Sequence, residues 1–260
     1  MLNRRTFMET FGGAGLLAAT GGFAYPAEKR RVFVLESYYL KSGTQPARIH
    51  EYIEKAALPA LKKIYAGPQI VLDALVAAHM PQVTVIMGFQ SIEELWAVRE
   101  KVLADQELAK SLDRWEDNAE APYEHFSTAL LEATPYCPEI AAPTPARTTS
   151  RIFELRTYHS PTWKQLKALH ERFAGPEIQI FRRVGVHPIL YSSTAIGPQM
   201  PNLTYVIPFE DLAARERAWN AFSADPEWIK VRKESIDLHG QIVSSNQISL
   251  YRATPYSPIR

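Results

Sequence analysis

Two stretches of the chain carry ionisable side chains at strand-like spacing. In VFVLESYYL (32–40), Glu36 and Tyr38 stand two apart, and in IFELRTYH (152–159), Glu154, Arg156 and Tyr158 do the same. A period of two puts Val34, Glu36 and Tyr38 on one face of a strand and Phe33 and Leu35 on the other. Glu154, Arg156 and Tyr158 likewise oppose Phe153, Leu155 and Thr157. A carboxylate, a guanidinium and a phenol on one face can bind an anionic or enol-like ligand. The same groups can instead form an ion pair that fixes how two domains dock. The Phe/Leu faces should meet the helices, so Glu36 and Arg156 are expected to look into the space between two sheets, as a pocket floor or a cross-domain pair.

Seven histidines are scattered along the chain, and none forms an HExxH or His-x-His pattern. The sequence therefore offers no spacing for a zinc or mononuclear iron site. His50 and His170, each followed by Glu, admit two readings: a haem ligand or general base, or an imidazole at the edge of a helix. His125 is expected within a strand and has Ser245 as its counterpart 120 positions on. An imidazole in one half alone suits a single asymmetric site, and equally a solvent-facing strand residue. No glycine-rich phosphate loop or GxSxG elbow is present. Cys137 stands alone, so an intramolecular disulfide is excluded, and a pairing between chains is left open. Trp96, Trp115, Trp219 and Trp228 fall on expected helices and read as core residues.

The elements that position these groups come from a repeat. Shifted by 120, RVFVLESYY (31–39) lies on RIFELRTYH (151–159), and MPQVTVIMGF (80–89) lies on MPNLTYVIPF (200–209). ADQELAK (104–110) lies on ADPEWIK (224–230), and ATPYCP (133–138) lies on ATPYSP (253–258). One offset without gaps implies two copies of one unit, 31–138 and 151–260, joined by a Pro/Ala/Thr-rich linker, 139–150. Each copy reads β-α-β-β-α-β. Pro59 and Gly175-Pro176 should interrupt the first helix, while Ser91, Asp105, Asp211 and Asp225 are N-caps for the second helical region. This order is the ferredoxin-like split βαβ arrangement. The fold class is α+β, two tandem units packed sheet to sheet as an intramolecular pseudo-two-fold α/β barrel.

Residues 1–24 differ from the rest. Arg4-Arg5, then Thr6, Phe7 and Met8, precede a weakly apolar Gly/Ala run. This resembles a twin-arginine export signal, cleaved after Ala24 or Ala27, with a periplasmic destination. The run is too short and glycine-rich for a stable membrane span. Across the chain 29 Lys+Arg nearly balance 28 Asp+Glu, which argues against nucleic acid as a partner.

The blocks FELRTY (153–158), IG (196–197), ADPEW (224–228) and RATPYSP (252–258) resemble the NIPSNAP family, with a fainter resemblance over 32–137. The third strand departs from it: Thr204-Tyr205-Val206 stands where members carry His-x-Trp, so no role for that pair transfers. The resemblance implies a ferredoxin-like α/β barrel and no settled reaction. It points to a small molecule or protein partner bound through the inter-sheet pocket or the outer helices, with homo-oligomerisation open. The wider superfamily adds the alternative of a cofactor-independent monooxygenase or haem-handling enzyme. No cofactor motif is evident, so haem or another organic ligand has no motif support.

Overall fold

The computed structural model describes residues 30–260. The proposed export signal, 1–24, lies outside the described residues.

Eight strands carry the fold: β1 (Val32–Tyr39), β2 (Gln69–Val76), β3 (Gln82–Phe89), β4 (His125–Ala133), β5 (Ile152–His159), β6 (Leu190–Ile196), β7 (Asn202–Phe209) and β8 (Ser245–Ala253). They close into a barrel in the order β1-β3-β2-β8-β5-β7-β6-β4. The first half supplies β4-β1-β3-β2 and the second β8-β5-β7-β6, each the sheet of a ferredoxin-like unit. The units join edge to edge through antiparallel β2–β8 and β4–β6 ladders. Closure removes every free strand edge, which a single unit would expose.

The helices lie outside. In the first half these are α1 (Gln45–Tyr52), α2 (Leu58–Ile64), α3 (Ile92–Ala104) and α4 (Gln106–Glu116). In the second they are α5 (Trp163–Arg172), α6 (Ile178–Arg183), α7 (Leu212–Ala224) and α8 (Pro226–His239). The N-caps act as their residue types predict. Ser91 accepts from the Glu94 N–H and Asp211 from the Ala214 N–H. Asp105 and Asp225 each accept from two N–H groups of the following helix. The interruptions near Pro59 and at Gly175-Pro176 take one form. A π-helical turn, Ile53–Ala57 or Phe173–Glu177, joins each first helix to its continuation, again 120 residues apart. Gly175 leaves helical geometry (φ −89°, ψ −118°) inside the second turn.

The two faces of each sheet are the reverse of the expected assignment. Phe33, Ile70, Leu72, Ile86, Leu131, Phe153, Leu190, Val206 and Tyr251 form one buried cluster drawn from strands of both halves, with Leu35 and Leu155 packed against it. That cluster fills the barrel. Glu36, Tyr38, Glu154, Arg156 and Tyr158 therefore lie on the outer face, beneath the helices. The inter-sheet space is a packed core, and the pocket-floor reading of Glu36 and Arg156 is overturned. The physical reason is closure: an eight-stranded barrel leaves an interior just wide enough for side chains, and Phe and Leu lose least by entering it. The outer face is where amphipathic helices can bring partners to a buried charge.

Candidate functional site

Glu36 and Arg156 do not meet, because β1 and β5 are separated by three strands in either direction around the barrel. Glu36 accepts from the Tyr38 hydroxyl at 3.2 Å, and burial pushes its carboxyl upward. Arg156 pairs within its own half. The Glu154 side chain is fully buried, with Oε1 2.6 Å from Arg156 Nε and Oε2 2.5 Å from Arg215 Nε. Trp219 Nε1–H donates to the same Oε2 at 3.0 Å, and the Arg156 guanidinium lies 3.8 Å from the centre of the Trp219 ring. Arg156 also donates to the Tyr158 hydroxyl at 2.9 Å. This network ties β5 to α7 and fixes Tyr158.

Tyr158 borders a cavity of about 290 Å³ in the second half. Its wall includes Arg172, Glu177, Trp228, Arg232 and the segment 241–246. The π-helical turn builds one side of it. An i→i+5 turn brings residues five apart onto one side, and Arg172 Nε lies 2.7 Å from Glu177 Oε2 with both side chains buried. Burial pushes the Glu177 carboxyl up to about 6, against the opposing pull of Arg172. Burial also raises the Tyr158 phenol, partly offset by Arg156. The Arg172 guanidinium sits 4.9 Å from the Trp228 ring centre. Arg232 binds no other side chain among the described residues.

The first half fills the matching volume. There Tyr52 stacks on Trp115 at 4.5 Å and 3°, with Tyr123 5.6 Å from Trp115. Leu112 packs into the same cluster. The repeat counterparts of Tyr52, Leu112, Trp115 and Tyr123 are Arg172, Arg232, Ser235 and Val243. Four substitutions thus turn an aromatic plug into a polar cavity. Sequence reasoning missed Arg172, Glu177 and Arg232. The signal that could have found them is this loss of bulk and gain of charge between aligned copies. Trp228 is cavity wall as well as core, and Trp96, expected in the core, is half exposed.

His50 and His170 occupy the seam between the units. His50 Nδ1 lies 2.6 Å from the Tyr256 hydroxyl and Nε2 3.0 Å from Asp73 Oδ1. His170 Nδ1 lies 2.8 Å from the Tyr136 hydroxyl and Nε2 2.7 Å from Ser193 Oγ. The tyrosine of each closing hexapeptide therefore reaches the histidine of the other unit. Burial depresses His170 to about 4, so it is a neutral imidazole. Replacing Tyr256 by Phe should cost about 1 kcal/mol of unfolding free energy, read by urea denaturation; an unchanged midpoint would deny the contact any role.

With both ring nitrogens of His50 and His170 bonded, neither fits a haem ligand, and the cavity wall contains no His, Cys or Met. Among the described residues no three His, Cys, Asp or Glu side chains are grouped to hold a metal ion. His125 is exposed on β4, stacked on Tyr39 at 4.4 Å, and is separate from the cavity. Cys137 keeps a thiol that burial pushes upward. No described helix is long and apolar enough to cross a membrane.

Comparison with known proteins places this geometry. The NIPSNAP family model matches residues 153–258. A candidate monooxygenase from Fusobacterium nucleatum superposes with a TM-score of 0.57 at 9% identity, covering 86% of this chain and 93% of that one. An anthrone oxidase-like protein gives 0.52 at 14% identity, covering 88% and 93%. A candidate chlorite dismutase gives 0.51 at 13% identity, covering 88% and 96%. At such identities these likenesses establish the shared barrel and no activity. No curated protein sequence matches the chain significantly. Residues 153–258, the second of the two ferredoxin-like units that close the barrel, are a NIPSNAP domain.

Proposed function

We propose that the chain binds a small, flat organic anion in the cavity of its second half. The observation that carries this reading is the difference between the repeats: a stacked Tyr52–Trp115 plug in one, and in the other a cavity walled by Trp228 and the uncommitted Arg232. Trp228 offers an aromatic wall, Arg232 a charge for a carboxylate or enolate, and Tyr158 a positioned hydroxyl. The test is fluorescence titration with 1-hydroxy-2-naphthoate. Arg232→Ala should weaken binding by about tenfold or more, and Ser235→Trp should abolish it by restoring the plug. Equal binding by all three proteins would sink the proposal.

Glu177 favours a second reading, in which the bound molecule is also turned over. A buried carboxyl near 6 is matched to accepting a proton from an enol or phenol near neutral pH. Arg172 and Arg232 would stabilise the resulting anion. Reaction of such an anion with dioxygen would be an oxygenation, and two of the barrel relatives are named as a candidate monooxygenase and an anthrone oxidase-like protein. Export by the twin-arginine route, the division into 31–138, 139–150 and 151–260, and self-association belong to the same proposal.

A further inference from the structure

At the end of the barrel where β1 runs out and β3 begins, two imidazoles converge. The ring centres of His79 and His125 are 6.0 Å apart. Tyr39 lies against both, stacked on His125 at 4.4 Å and edge-on to His79 at 5.3 Å. The Tyr39 hydroxyl is in turn 3.2 Å from Ser127 Oγ, which fixes the ring that orients the pair.

His79 Nε2 faces the Leu40 carbonyl oxygen at 2.8 Å. A carbonyl can only accept, so Nε2 carries the proton and Nδ1 keeps its lone pair. An imidazole held to a backbone carbonyl through one nitrogen, with the other left basic, is the arrangement of metal-ligating histidines. His125 is exposed, and neither of its nitrogens is bonded among the described residues. Two imidazoles on one divalent ion, at about 2.0–2.1 Å per nitrogen, have ring centres at most about 6.5 Å apart. The observed separation falls inside that reach. The counterparts of Tyr39, His79 and His125 are His159, Gln199 and Ser245, so the other half has no such pair.

We propose that His79 and His125 form a two-imidazole site for one late first-row divalent cation, Cu²⁺ or Zn²⁺, per chain. Imidazole nitrogen suits these ions, and affinity at nitrogen sites peaks at copper. Two ligands leave coordination positions for water or a small anion. The site is on β4 and the β2–β3 turn, whereas the cavity of Tyr158 and Glu177 belongs to the other half, so the two stand or fall separately.

The test is titration of untagged protein with Cu²⁺ and with Zn²⁺ by calorimetry, with electron paramagnetic resonance of the copper form. The expected result is one ion per chain with two coupled nitrogens. His125→Ala should weaken binding by about tenfold or more and remove one nitrogen coupling. His125 is exposed, so the variant should fold, which circular dichroism checks. His159→Ala and Glu177→Gln should bind as the parent does. No uptake by the parent, equal affinity in His125→Ala, or loss in His159→Ala would each overturn the assignment.

Discussion

Glu154→Ala is expected to lower the unfolding free energy by about 3–5 kcal/mol, measured by urea denaturation at pH 7. The Glu154 carboxylate is fully buried and is shared by two guanidiniums, Arg156 and Arg215. Its removal leaves Arg156, whose side chain is 12% exposed, beside the Trp219 ring with no anion. Replacing Glu154, Arg156 and Arg215 together by apolar residues of similar volume should cost far less, because no charge is stranded. The pair of results separates roles that one substitution confounds. If the network only docks α7 on β5, the apolar triple variant keeps ligand binding. If Arg156 serves the site by holding Tyr158, the triple variant folds and loses it. A loss below about 1 kcal/mol in Glu154→Ala would mean that water reaches the network freely.

The second large effect is a pH dependence set by two groups of opposite sign. Glu177 titrates near 6 in the folded protein against 4.5 as its ordinary value. Through that window the unfolded chain has released a proton that the folded protein keeps, so this group's contribution falls as pH rises, by about 2 kcal/mol in all. His170 is depressed to about 4 from 6.5. There the unfolded chain holds the extra proton, so stability rises with pH, by about 3 kcal/mol. The two oppose each other in the parent protein and leave a net rise of about 1 kcal/mol. Glu177→Gln removes the falling component alone. Relative to the parent, its stability should therefore improve by about 2 kcal/mol between pH 4 and pH 7, while turnover, if the cavity has any, disappears. Parallel stability curves for the two proteins would show that Glu177 does not titrate in this window. A group that functions at the expense of the fold is the usual trade between stability and activity.

The architecture was readable because duplication writes the same pattern twice. One offset aligned the strands and the caps, and β-α-β-β-α-β has few ways to pack. The facing of the sheets was not readable, because alternation separates two faces without saying which one lies inside. Glu and Arg at 154 and 156 suggested a pocket floor or a cross-domain ion pair, and their partners, Arg215 and Trp219, lie some 60 residues away on α7. The cavity escaped for a related reason. Arg172 and Glu177 are five apart, a spacing that means nothing on an α-helix and becomes a contact only through the π turn.

The exchange of tyrosines across the seam has a consequence for what such a chain can do. In a symmetric pair of identical subunits, Tyr136 and Tyr256 would be one residue reaching the partner, and every pocket would exist twice or not at all. Joining the copies end to end lifts that restriction. Asp73 can differ from Ser193, Trp115 from Ser235, Gln199 from His79. One copy holds a close-packed interior and lends rigidity, and the other can tolerate an empty, charged, unfavourable space. Division of labour between stability and chemistry, impossible for an enforced mirror of equals, is what a single polypeptide with an internal two-fold gains.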